Sequence, residues 1–376
     1  MLCICPCTSH DYGLMGSLGS ILYLLIINDL WLYLYIVHTI LIRSDHILKV
    51  LMAVRDLKYG FGTHANFLVS ALEDQGVEVS LFIAQNDYAM AQLGRYLSDD
   101  YKDHDVLHIH GTPYLINKQP IPTVVTAHST MRSEIKWDGW NFKFRVGVIL
   151  EEIAMQNPDA FISVNSCLVD DIRALNKNAD ITIIPNGVDF GEFDTYPQPE
   201  KRLIYLLSGG RLIKRKRFEE VFQARNNLGV NRRIILFGDG PRFNNICKYK
   251  QEQDYLTGWV ERDALLRFYL LASMFISSSG YEAGPLTILE AMTARCPIIS
   301  SDIPAIKGVV VHEKTGLVYP LGDINKLSEN IKRLIDDEEL GRKLADNAYE
   351  HIQKHHRWED VAKATIGVYE RVMEMV

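Results

Sequence analysis

Lysine and arginine are absent until Arg43, so the apolar opening stretch lacks the basic region that usually begins a cleavable signal peptide, and such a signal is not the expected reading. Cysteine is sparse. Cys3, Cys5 and Cys7 stand together, while Cys167, Cys247 and Cys296 are scattered singles. No pair has zinc-ribbon spacing, and a chain of 376 residues needs no disulfide staples, so a reducing compartment is expected. Positive charge is not in excess either: 40 basic and 47 acidic side chains leave a formal net charge of -7, which gives no global reason to expect nucleic acid. What is present is globular material, 47% hydrophobic and 23% charged, over a length that suits two domains with a core each.

Residues 14–42 are almost continuously apolar, broken by Asn28 and Asp29. A bilayer needs about 20 residues at about 1.5 Å each, so the stretch is long enough to span. The central aspartate costs about 2.5–3.5 kcal/mol on an insertion scale while each Leu or Ile returns about 0.3–0.6, a sum near balance. A membrane anchor is the expectation, with Arg43, Lys49 and Arg55 holding the rest of the chain in the cytoplasm at the inner membrane face. An amphiphilic hairpin lying on the membrane, or residues translated from upstream of the true start, are the alternatives. Acylation of the three early cysteines is a further option that the residues do not decide.

From Ile47 onward short apolar runs alternate with helical segments, the pattern of doubly wound parallel sheets. The run 47–54 reads as a buried strand, followed by Tyr59-Gly60-Phe61-Gly62-Thr63-His64 and a helix from about Thr63 with Ala65, Leu68, Val69 and Leu72 on its apolar face. Gly60, Gly62 and Ala65 loosely fit G-x-G-x-x-A, with Asp87 as a ribose ligand after a second strand at 77–84; that is the case for a nicotinamide-dependent oxidoreductase. Further strands are expected at 106–110, 122–126, 160–164 and 181–184, which would bring His110, His128, Asn165 and Ser166 to one rim of the sheet. The mixture of Trp137, Trp140, Phe142 and Phe144 with basic residues between Met131 and Arg145 suits a bilayer interface, a ligand groove or a helix packed on its own domain.

A second strand and glycine turn, Leu203 to Arg211, precedes Lys214-Arg215-Lys216-Arg217 and a helix from about Phe218. Four adjacent cations repel one another, and a diphosphate would relieve that repulsion through arginine forks and a compact lysine charge. Another strand and turn runs from Ile234 through Gly238 to Pro241, and Trp259-Val260 leads into a helix over 262–271. In the stretch 277–292 an apolar strand turns on small residues into a helix whose start is marked by Gly284, Pro285 and Leu286. That helix tip suits a phosphate. Glu282 falls in the loop and Glu290 about a turn and a half into the helix, placed to accept hydrogen bonds from hydroxyls.

Glu282 and Glu290, with seven residues between them and Ala291-Met292 after, resemble the E-x7-E motif of family-four retaining glycosyltransferases, the glycosyl transferases group 1. The segments Val124 to His128, Ile184 to Asp189, Gly210-Arg211 to Lys216 and Ile234 to Pro241 resemble other signatures of that family in the same order, over about residues 47–376. The resemblance implies an α/β protein of the GT-B fold, two Rossmann-like domains facing a cleft. The first, acceptor-side domain would cover 47–190, a linker 191–202, and the nucleotide-sugar-binding domain 203–357, with a final helix 358–376 returning to the first domain. Residues 1–46 would be an extension. By the same resemblance Glu290 would hold the donor ribose and Glu282 would orient the donor sugar. Arg211 and Lys216 would bind and stabilise the leaving diphosphate, and His128 would meet donor or acceptor hydroxyls. Gly60 and Gly62 would face the cleft floor, Gly238 the nucleobase, and Gly284, Pro285 and Leu286 the phosphates. Arg295 and Arg217 depart from the pattern, standing where glycine is usual.

The implied reaction moves a sugar from a nucleotide-diphosphate donor to an acceptor hydroxyl of a saccharide or lipid with the anomeric configuration kept. Cations would take the leaving group's charge, with no cofactor beyond the donor and no metal; no Asp-x-Asp pair lies in a fitting loop. The rivals are the oxidoreductase, a non-catalytic nucleotide-sugar-binding module, and a sugar-nucleotide epimerase of the same fold.

Overall fold

Two parallel six-stranded sheets, with helices on their faces, carry the chain. The computed structural model describes residues 47–54, 60–84, 103–111, 117–138, 142–200, 202–203 and 205–375. The candidate anchor 14–42, the three early cysteines, Asp87 and Trp140 lie outside these. No helix among the described residues is long and apolar enough to cross a membrane.

The first sheet has the order β2-β1-β3-β4-β5-β6, from β1 (Lys49–Val54), β2 (Glu78–Ile83), β3 (Val106–His110), β4 (Thr123–Ala127), β5 (Ala160–Ser163) and β6 (Ile181–Ile183). Strands β3 and β4 are buried along their whole length, as expected of central parallel strands covered on both faces. Around them lie α1 (Gly60–Glu73), α2 (Met131–Asp138), α3 (Phe142–Ala154) and α4 (Cys167–Leu175). The second sheet has the order β12-β11-β10-β7-β8-β9, built from β7 (Tyr205–Gly209), β8 (Arg233–Phe237), β9 (Tyr255–Gly258), β10 (Met274–Ser277), β11 (Ile298–Asp302) and β12 (Leu317–Pro320). Its helices are α5 (Glu219–Leu228), α6 (Arg262–Leu271), α7 (Leu286–Thr293), α8 (Ile324–Asp336) and α9 (Glu338–His355).

Apolar residues from both faces of each sheet form the cores. Leu51, Leu107, Ile109, Val125 and Phe161 pack in the first lobe, and Leu207, Phe237, Tyr269, Phe275 and Leu289 on one face of the second. The last helix, α10 (Trp358–Met373), lies against α1, β4 and β5. Buried Tyr369 brings its hydroxyl to His108 Nδ1 at 2.5 Å, and Arg371 reaches Asp180 at 3.0 Å and Thr182 at 2.8 Å. Where the chain passes between lobes its two crossings are bound together: Val188 N–H donates to the His356 carbonyl at 2.9 Å.

One local expectation is corrected. Helix α1 begins at Gly60, not about Thr63, so Gly60 and Gly62 lie within its first turn and not in a loop before it.

Candidate functional site

In the second sheet β7 is flanked by β8 and β9 on one side and by β10, β11 and β12 on the other. The strand order therefore reverses between β7 and β10, and the loops leaving these strands diverge to open a crevice at their carboxyl ends. One loop carries the cation run. The other carries Glu282. They are joined by one backbone and one side-chain hydrogen bond: Gly280 N–H donates to the Arg215 carbonyl at 2.7 Å and Ser278 Oγ to the Lys216 carbonyl at 2.8 Å.

Residues 214–216 form a single turn of 3-10 helix, and Arg217 closes it in the left-handed region at φ 51. Three of the four cations are paired with carboxylates. Lys216 Nζ reaches Glu282 Oε1 at 2.5 Å, Arg215 reaches Glu134 of the first lobe at 3.4 Å, and Arg217 Nε donates to Glu220 at 2.6 Å. Carboxylates of the chain itself thus relieve much of the repulsion that the sequence suggested a diphosphate would relieve. Lys216 and Glu282 keep only 14% and 12% of their side chains exposed, and Ser279 Oγ also donates to Glu282 Oε1 at 2.5 Å, so the carboxylate is held in place.

Glu290, on the fifth residue of α7, is 8% exposed. Its Oε2 accepts from the Tyr269 hydroxyl at 3.0 Å and its Oε1 pairs with Arg262, which also binds Glu192 through Nε at 3.1 Å. Burial, and then the charge of Glu290, push the Tyr269 hydroxyl well above its ordinary range, so it remains a donor. Helix α7 starts without a side-chain cap after Pro285. Gly238 sits at φ 107, where an added Cβ would lie 2.0 Å from the Gly210 carbonyl oxygen, so glycine is required for the β7 and β8 turns to touch.

Across from these groups stands the rim of the first sheet. His128 follows β4, and burial lowers its pKa to about 4, leaving a neutral imidazole at pH 7. Asn165 caps α4 through Oδ1, 2.8 Å from Cys167 N–H, and gives its amide hydrogen to the Ala283 carbonyl of the opposite lobe. Between the lobes lies a cavity of about 580 Å³. His128, Arg211, Lys216, Gly238, Glu282, Gly284, Leu286 and Glu290 line it together. Gly62, Pro285, Asn165 and His110 are not among its lining residues; Thr63 of α1 reaches the wall, and His110 lies 3.4 Å from His128. Tyr269, Arg262 and Glu134 are site groups that sequence reasoning missed. Nothing in the spacing links Tyr269 to a glutamate 21 positions later; only the packing of α6 beside α7 does.

Comparison with known proteins bears on this geometry. A family model described as Glycosyl transferases group 1 matches residues 192–351, and a second, Glycosyltransferase Family 4, matches residues 85–192. An uncharacterized glycosyltransferase of Methanocaldococcus jannaschii is 24% identical over 57% of this chain and 60% of its own length. The chain thus spans about three fifths of that relative. N-acetyl-alpha-D-glucosaminyl L-malate synthase of Bacillus anthracis is 25% identical over 72% of this chain and 75% of its own. Among solved structures, sucrose-phosphate synthase of Thermosynechococcus elongatus superposes with a TM-score of 0.73 at 17% identity, covering 87% of this chain and all of that one. HepE of Anabaena, solved with UDP and glucose, gives 0.68 at 15% identity, over 86% of this chain and all of its own. End to end the two family models take in residues 85–351, well over half of the sequence, and the chain belongs to the GT-B glycosyltransferases of family 4.

Proposed function

We propose that this chain transfers a sugar from a nucleotide-diphosphate donor to an acceptor hydroxyl, with the anomeric configuration kept, in the synthesis of a glycan or glycolipid. The observation that carries the reading is the convergence of Arg211, Lys216, Glu282 and Glu290 on one cavity at the strand-order reversal of the second sheet. Its volume is that of a small-ligand pocket, and charged groups of both signs line it. The structural relative with UDP and glucose bound supports the same class of donor.

In this reading Glu290, held by Tyr269 and Arg262, receives the ribose hydroxyls. Glu282 orients the sugar, and Lys216 moves from Glu282 towards the phosphates when donor enters. Breaking the glycosyl-phosphate bond develops negative charge on the leaving diphosphate. Arg211, Lys216 and the uncapped start of α7 are placed to stabilise it, so the reaction needs no metal. Attack comes from the donor face that the leaving phosphate occupies, with that phosphate helping to take the acceptor proton. Neutral His128 offers a hydrogen bond to a hydroxyl. The apolar sequence at 14–42 suggests an acceptor met at the cytoplasmic membrane face.

A panel of UDP-, GDP- and ADP-sugars should include one that raises the melting temperature. With that donor and lipid or saccharide acceptors, Lys216→Ala and Glu290→Gln should lower kcat/KM by about 10²–10³, the loss typical of a removed transition-state contact. Turnover within threefold of the parent would contradict both roles, and turnover abolished by EDTA and restored by Mg²⁺ or Mn²⁺ would contradict charge compensation by side chains alone.

A further inference from the structure

Four histidines lie together at the cleft-facing end of the first lobe: His64 on α1, His108 and His110 on β3, and His128 after β4, each no more than 5% exposed. His108 has a structural explanation, since its Nδ1 meets Tyr369 and its Nε2 lies 2.7 Å from Thr126 Oγ1. His64 and His110 are less completely paired. His64 Nδ1 and His110 Nε2 are buried with no hydrogen-bond partner. A buried polar atom left unpaired costs about 1–3 kcal/mol, and here two such atoms belong to neighbouring rings, with centroids 5.2 Å apart.

The rings are also arranged to share a ligand. One nitrogen from each of His64, His110 and His128 lies within 4.8 Å of the others. Zn–N bonds of about 2.0–2.1 Å in a tetrahedral site place ligand nitrogens about 3.4 Å apart. The His110 Nδ1 to His128 Nε2 hydrogen-bond contact is 3.4 Å, so the rings stand at the scale of such a shell, and small ring rotations would turn one nitrogen of each towards a shared ion. Burial lowers the pKa of all three rings, which keeps their lone pairs unprotonated at neutral pH.

We propose that His64, His110 and His128 form a binding site for one borderline transition-metal cation, zinc or cobalt(II), in the first-lobe wall of the cleft. Imidazole is a favoured ligand for these ions. His128 and Thr63 line the cavity, so the ion would be within reach of cleft water. Because the ligands come from α1, β3 and β4, an ion would also tie these three elements together and stabilise the lobe by linkage. The site is separate from the phosphate-facing cations, and the inference does not depend on the transfer reaction.

The test uses the full chain with Cys3, Cys5 and Cys7 changed to serine, because these thiols are rival ligands. Metal-stripped protein is titrated with Co²⁺. The expected result is one ion per chain with the intense visible bands of tetrahedral Co²⁺, and a higher melting temperature. His64→Asn and His110→Asn should each lose the bands while keeping the far-UV circular dichroism of the metal-free parent. Should either variant fail to fold, X-ray absorption at the zinc edge of the parent decides: three imidazoles in the shell support the site. A two-imidazole shell would point instead to the neighbouring His351 and His355 on α9. That result, no binding at all, or bands that survive in both folded variants would overturn it.

Discussion

Inside the second lobe the Tyr269 hydroxyl is an uncharged hydrogen-bond partner of Glu290, and its ring is fully buried among Phe237 and Phe275. Tyr269→Phe keeps that packing and removes one hydrogen bond to a carboxylate. The expected outcome is a tenfold or so fall in kcat/KM through a higher donor KM, corresponding to about 1.4 kcal/mol, with a melting temperature close to the parent's. An unchanged donor KM would show that the hydroxyl does not set the carboxylate. At the same scale the buried histidines predict acid sensitivity. Burial lowers the pKa of His128 to about 4 and, chiefly through burial with a contribution from His128, that of His108 to about 3. Since the folded values lie below the unfolded value of about 6.5, the unfolded chain binds these protons first. Stability is therefore intact above about pH 6.5 and falls as pH drops towards these folded values, by about 2 kcal/mol per ring at pH 5. Melting curves from pH 7.5 to 5 should show the decline; a flat profile would contradict it.

Two tight turns close on arginine in a backbone conformation that favours glycine: Arg217 at φ 51 after the cation turn, and Arg295 at φ 50 after α7. The sequence marked both positions as departures from glycine and left the turn shape open; the turns keep the glycine-like conformation. What compensates differs between them. Arg295 stacks on Tyr349 with its guanidinium carbon 3.9 Å from the ring centre and pairs with exposed Asp346, contacts of modest worth at a surface. Arg217 instead binds Glu220, a residue 6% exposed whose second oxygen has no partner and whose pKa burial raises. Arg295→Gly should thus leave stability within about 1 kcal/mol, relief of backbone strain offsetting the lost contacts. Arg217→Gly should destabilise by about 1–3 kcal/mol because a buried carboxylate loses its cation, and adding Glu220→Gln should restore most of the loss. Urea denaturation of the two single variants and the double variant checks the difference; equal effects at both sites would contradict it.

Over the whole molecule, the lobes meet through small groups that leave no room for larger ones. An added Cβ at Gly280 would lie 2.4 Å from the Trp137 ring, and the Tyr281 hydroxyl donates to Ser133 at 2.9 Å. Gly280→Ala should wedge the lobes apart without touching the phosphate-facing side chains. Closure excludes water from the reacting centre, so the expected outcome is a lower rate of transfer and a larger share of donor hydrolysis, with a raised radius of gyration in scattering. An unchanged ratio of transfer to hydrolysis would show that this contact does not govern closure.

Much of this protein is determined by local order in the chain. Runs such as Val106 to His110 and Ile298 to Ser300 are strands because β-branched and apolar side chains suit a sheet covered on both faces. Pro285 stands at the N-cap of α7, and Glu282 and Glu290 fall in a loop and on a helix by counting residues. The tertiary structure decided the rest, because it depends on which strands become neighbours. Only the reversal of order between β7 and β10 brings Lys216 to Glu282, 66 positions apart. Only the packing of α6 on α7 supplies Tyr269 and Arg262 to Glu290. His64, His110 and His128 lie on three separate segments, and their lone pairs converge only when α1 folds over the ends of β3 and β4. Spacing along a chain orders neighbours within one element, whereas long-range contacts are set by sheet order and burial, which no single stretch encodes.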